Sequence, residues 1–181
     1  MADELPRTSR RAVLLARIAQ SICLLGVASR ALFAIPLGFN RVAMGDYIRW
    51  LAPNLPIPIS IETWIGFGVV LALDLFISAW VFLEMFGLFG ALGRGETMTS
   101  GLERRLLRLS LAAFLGTLLT LFAGTLYSLV AVMTDVPAPH RWWFNLQQDT
   151  LLKAAGTILL FLFVMIVREL RRVDAENKSF V

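Results

Sequence analysis

Cysteine and histidine are nearly missing from this chain, with one of each in 181 residues. Cys23 has no internal disulfide partner. It lies in an apolar run and reads as a small buried hydrophobe. A single Cys and a single loop His, His140, make no His/Cys zinc cluster. Charge is scarce as well: 17% of residues are Asp, Glu, Lys or Arg, against roughly 25% in soluble domains. No glycine loop follows a strand pattern, so a nucleotide site is not expected. No Ser or Thr stands in a Gly-x-Ser setting with a helical His, and no nucleic-acid fold signature is present. The expectation is no enzyme, no cofactor, no metal and no direct nucleic-acid binding.

Apolar residues are what the chain has, at 57% of the whole, and the mean hydropathy is +0.72. A soluble domain of this length has one core and cannot hide so much apolar surface. Lipid can. A membrane-spanning helix needs about 20 mostly apolar residues, and four runs qualify: Ala12–Phe39, Thr63–Leu92, Leu106–Met133 and Leu151–Val167. They do not alternate in polarity as barrel strands do. Leu118, Leu119, Leu121 and Phe122 sit almost side by side. A helix also satisfies its own backbone hydrogen bonds in hydrocarbon. Residues 1–181 are therefore read as one all-α domain, an integral membrane bundle of four transmembrane helices with a short basic N-terminal tail and a C-terminal helical extension.

Lys and Arg mark the loops that stay in the cytoplasm. Arg7, Arg10 and Arg11 precede the first run. Arg94, Arg104, Arg105 and Arg108 lie between the second and third. Arg168, Arg171, Arg172 and Lys178 follow the fourth. These eleven oppose four on the other side, Arg41, Arg49, Arg141 and Lys153 at a helix mouth. Both termini are thus expected inside (N-in/C-in), in a multi-pass membrane protein. Anionic headgroups are the simplest partner for the net charge of +4. "SRRAVLL" resembles a twin-arginine export motif, but Arg17 and Gln20 interrupt the apolar stretch, and the segment is read as a retained helix.

The polar interruption "GRGETMTSGLERRLLR", from Gly93 to Arg108, is then the cytoplasmic hinge between spans two and three. Gly93 and Gly95 end one helix. Ser100 and Glu103 have capping-box spacing, so the next helix is expected to begin near Gly101. On the outer side, Pro53, Pro56 and Pro58 exclude regular helix from the first loop, about Asn40 to Glu62. Trp142, Trp143, Trp50, Trp64 and Tyr47 suit the interfacial aromatic belt.

Four charges fall within the spans, where each costs about 3 kcal/mol and needs a partner. Counted from the outer helix ends at ~1.5 Å per residue, Arg30 and Asp74 match in depth, and so do Arg17 and Glu84. Arg30–Asp74 is the expected pair, with Arg17–Glu84 as a second. At ~100° per residue both pairs drift off a single face, so both are ideal only if a helix bends or rotates. A proton or ion path through Asp74 and Glu84 is the other reading. In the third span Ala112, Gly116, Thr120, Gly124 and Ser128 recur every fourth residue. Such a small-residue ridge lets a neighbouring helix approach closely, inside the bundle or in a homo-oligomer or larger complex.

The middle loop and C-terminus resemble the bacterial domain-of-unknown-function family 2975, four-span membrane proteins. The resemblance rests on Gly95, Glu96, Met98 and Thr99 followed by Arg104, Arg105, Leu106 and Leu109, and on the ending "VRELRRVDAENKSFV", with Glu176, Asn177, Phe180 and Val181. It covers the last half of the chain. The family has no established enzymatic activity, and the resemblance implies a link to membrane-associated regulation. It departs from the family in Met98, where Phe is common, and in the charged Arg30 and Asp74. The expectation from all this is a non-enzymatic membrane protein that binds a protein partner through its loop and tail. The alternatives are an accessory subunit of a membrane complex and a proton- or ion-linked channel or carrier. Arg168 to Asn177 should continue the last helix and pack beside the Gly95–Arg105 loop, with Glu96 and Glu176 meeting arginines there.

Overall fold

A computed structural model describes residues 10–49, 59–96, 99–134 and 148–179. Met98, Phe180, Val181, His140, Trp50, Trp142, Trp143 and the three loop prolines lie outside them. The described residues form α1 (Arg10–Phe39), α2 (Arg41–Ile48), α3 (Ile61–Gly93), α4 (Ser100–Met133) and α5 (Gln148–Ser179). No strand is present among them. Four of the five helices are long and apolar enough to cross a membrane. The fold is the all-α, multi-pass architecture expected.

The helix ends follow local chemistry. Thr63 N donates to Ser60 Oγ at 3.1 Å, which caps the start of α3. At the other end, Gly95 N reaches Leu92 O at 3.0 Å and Glu96 N reaches Ala91 O at 3.1 Å. These two bonds are a Schellman closure. It needs a left-handed residue, and Gly95 supplies it at φ 78°. The start of α4 differs from expectation by one residue. Thr99, not Ser100, is the cap, its hydroxyl accepting from Leu102 N at 3.2 Å. With Thr99 as the cap the N3 position is Leu102, so Glu103 lies one residue past capping-box spacing, and its carboxylate takes arginines of α5.

The first outer loop contains a helix that the prolines did not forbid, since they come later. Asn40 Oδ1 accepts from Val42 N (2.9 Å) and Ala43 N (3.3 Å), and so starts α2. Trp64 Nε1 donates to Leu37 O at 3.4 Å, tying the top of α3 to the end of α1.

The packing is a row rather than a closed square. α1 packs on α3, α3 on α4 and α4 on α5; α1 and α5, at the ends, do not pack closely. Two apolar knots hold the row. At the α2 end, Leu37, Met44, Ile48, Phe67, Leu71 and Tyr127 are buried together. At the opposite end Ala91, Leu102, Leu106, Val164 and Val167 join α3, α4 and α5. α5 buries only a narrow stripe, Thr150, Thr157, Val164 and Val167. Thr150, Thr157 and Val164 repeat every seventh residue, the period of a coiled-coil seam. Its remaining large side chains, such as Leu152, Leu159 and Met165, are exposed, a surface suited to lipid.

Candidate functional site

The charged residues of the spans sort into two layers. In the upper layer, toward α2, Arg30 Nη1 lies 3.7 Å from Asp74 Oδ2, with side chains 45% and 39% exposed. Tyr47 of α2 stands nearby, its ring edge-on to Phe33 at 5.5 Å. Burial raises the Tyr47 phenol above its ordinary value; the Asp74 carboxylate adds to this and the Arg30 guanidinium opposes it.

The lower layer differs from the expected pairing. Glu84 is paired with Arg108 of α4, Oε1 to Nη1 at 4.0 Å, and not with Arg17 of α1. The reason is helix register. A methyl placed at Gly93 would sit 2.9 Å from Ala16 Cβ, and one at Gly26 2.5 Å from the Phe82 ring. Gln20 Nε2 donates to Phe86 O at 3.2 Å. On that register Arg17 stands beside the end of α3, while Glu84 is nine residues earlier, about 13 Å away at ~1.5 Å per residue. Arg17 is exposed, a position from which a long arginine stem can lie along lipid with its charge in water. Glu84 Oε2 is buried and has no hydrogen-bond partner in the described residues.

The α4 ridge is used within the molecule. Ala112, Gly124 and Ser128 are buried. Gly116 faces Ile77 of α3, a Cβ there meeting Ile77 Cγ2 at 3.3 Å. Thr120 donates to Gly116 O at 2.9 Å and accepts from Lys153 Nζ at 3.2 Å. Thr117 and Thr157 hydroxyls meet at 3.1 Å across the α4–α5 seam.

Between the two knots the row is indented by a half-open recess of about 430 Å³. All four long helices line it, with Arg30, Asp74, Thr120 and Lys153 among the lining residues and Phe82 and Leu160 on its apolar side. Glu84 is not among them. The sequence offered a signal for this site in Lys153, which reads as a helix-mouth residue until α5 is placed against α4.

The loop-and-tail end is held by ions. Glu103, near the start of α4, accepts a hydrogen bond from Arg171 and has Arg168 Nε at 3.9 Å. α5 runs on to Ser179, about three turns past Val167. Glu96 and Glu176 do meet arginines, but local ones: Glu96 takes Arg94 Nε at 2.7 Å and Glu176 takes Arg172 Nε at 3.7 Å. Glu103 is the link between loop and tail, and the sequence gives it away only as a cap residue. Gly95 belongs to the α3 closure, Thr99 to the α4 cap, while Arg105 lies against Gly87. Asn177 is exposed. No group of three or more His, Cys, Asp or Glu able to hold a metal is found among the described residues. No family model matches the chain, and no curated protein and no solved structure matches it.

Proposed function

We propose that this is a non-enzymatic, multi-pass protein of a bacterial inner membrane, with both ends in the cytoplasm, acting as a regulatory protein that binds a protein partner through its α3–α4 loop and α5 tail. The observation that carries the reading is the hold of Arg168 and Arg171 on Glu103. It ties α5 to the first turn of α4, where the loop ends, and so supports reading loop and tail as one surface. The buried Leu102, Leu106, Val164 and Val167 beneath make that surface firm. Its chemistry is dense in charge of both signs, with Arg94, Glu96, Arg172 and Glu176 exposed or half-exposed. Such a surface suits a protein better than a small substrate, which prefers a concave site. The basic asymmetry of the loops and the resemblance to family 2975 point the same way.

One observation favours a second reading. α5 packs on α4 alone and leaves a long apolar face uncovered, so an accessory subunit would dock there rather than on the α4 ridge, which is already covered. The ion-path reading draws no such support, because Asp74 lines the cavity and Glu84 does not. Deleting Asn177 to Val181 and recovering the protein in mild detergent tests the proposal. The partner should be lost while the protein still inserts. Unchanged partners and phenotype would reduce the tail to a membrane anchor.

A further inference from the structure

The cavity between the helices has a charged end and an apolar end. Arg30, Asp74 and Lys153 lie at the first. Asp74 is engaged by Arg30 at 3.7 Å. Lys153 meets the Thr120 hydroxyl at 3.2 Å, and no carboxylate in the described residues forms an ion pair with it. Two cations and one carboxylate leave an excess positive charge in a recess walled largely by hydrocarbon. An uncompensated charge within a span is costly and calls for a counter-charge. The apolar end runs from Lys153 toward Leu160 on α5 and from Asp74 toward Phe82 on α3, about two turns or ~10–12 Å. The side between α1 and α5 is where no helix pair closes.

We infer that this recess binds an anionic phospholipid, with the phosphate at the Arg30–Lys153 end and an acyl chain along the Phe82–Leu160 wall. Charge complementarity selects an anion, and the length and apolar lining select a chain-bearing one. A partner helix crossing the membrane would need a groove along about 30 Å of hydrocarbon, roughly three times the length of this recess. Inorganic phosphate would satisfy the cations but leave the apolar wall unfilled. The inference rests on the membrane reading of the four long helices and not on the loop-and-tail surface, so the two stand or fall separately.

Two substitutions separate the parts of the site. Lys153→Met removes the excess charge and keeps the bulk of the side chain. Gly156→Leu fills the recess and leaves every charge in place: Gly156 lines the cavity, and a Cβ added there meets nothing within 4 Å. The full chain, delipidated in detergent and then offered dioleoylphosphatidylglycerol or dioleoylphosphatidylcholine, is read by native mass spectrometry. Wild type should hold one phosphatidylglycerol and release phosphatidylcholine. Excess inorganic phosphate should not displace the bound lipid. Each variant should retain about tenfold less phosphatidylglycerol, the scale of one lost charge-assisted contact or a blocked site. Circular dichroism on the same samples establishes that each variant is folded, and Gly156→Leu keeps the test open if Lys153→Met is not. Equal retention of the two lipids by wild type overturns the inference. So does retention by a folded Gly156→Leu variant that matches wild type, or ready displacement by phosphate.

Discussion

Arg108 Nη1 stands 4.0 Å from Glu84 Oε1 across the α3–α4 seam, while Arg17 lies about two turns further along α1. Glu84 is 13% exposed and Arg108 65%. Loss of Arg108 therefore strands a carboxylate that is nearly covered. Breaking a fully buried pair costs about 3–5 kcal/mol; with one partner exposed, Arg108→Ala should cost about 1–2 kcal/mol. Arg17→Ala should stay within about 0.5 kcal/mol. Thermal unfolding in detergent measures both. A larger loss for Arg17→Ala would contradict the α1–α3 register.

The upper pair makes a different prediction. Asp74→Ala leaves Arg30 and Lys153 as two cations in the recess with no carboxylate lining it. Arg30→Ala/Asp74→Ala removes both members of the pair. The single variant should be less stable than the double, by about 1 kcal/mol given that both side chains are over a third exposed. Equal unfolding midpoints for single and double would mean that the two do not interact.

At the end of α3, Gly95 holds φ 78°. A side chain in that left-handed conformation costs about 1–2 kcal/mol. Gly95→Ala should lower stability by that amount, and Gly95→Asn, which tolerates the conformation, by less. The order Ala below Asn below Gly in unfolding midpoint checks it. An unchanged Gly95→Ala protein would mean the closure does not matter.

Glu103 makes the sharpest local prediction. Its carboxylate is the point at which the α5 tail meets α4. Glu103→Gln removes the charge and keeps an acceptor oxygen, and with Arg171 about a third exposed and Arg168 mostly so it should cost about 1 kcal/mol. Amide exchange in residues 168–177 should quicken while the core of α4 stays protected. Unchanged exchange in the tail would show that the arginines hold it by lipid contact alone.

The four spans were legible because hydrocarbon length is a property of each run taken alone. The continuation of α5 past Val167 was legible for the same reason, since no Pro or Gly interrupts it. Pairing was not. Counting from helix ends pairs Glu84 with Arg17, but contacts such as Ala16 with Gly93 and Gly26 with Phe82 set the register, and small residues do not announce which partner they admit. α2 was missed because eight residues carry little periodicity and the prolines that follow dominate the reading; Asn40 was its one signal. The recess was missed because it depends on α1 and α5 failing to close, a relation between distant segments. Lys153 reads differently once that relation exists.

On the proposed reading, loop and tail form one protein-binding surface. A photo-reactive amino acid placed at Glu96, at Glu176 and, separately, at Leu159 on the exposed face of α5 tests it in the intact membrane. The same protein adduct is expected from Glu96 and Glu176, and only lipid adducts from Leu159. A protein adduct from Leu159 with none from the other two would contradict it and place the partner along α5 within the membrane.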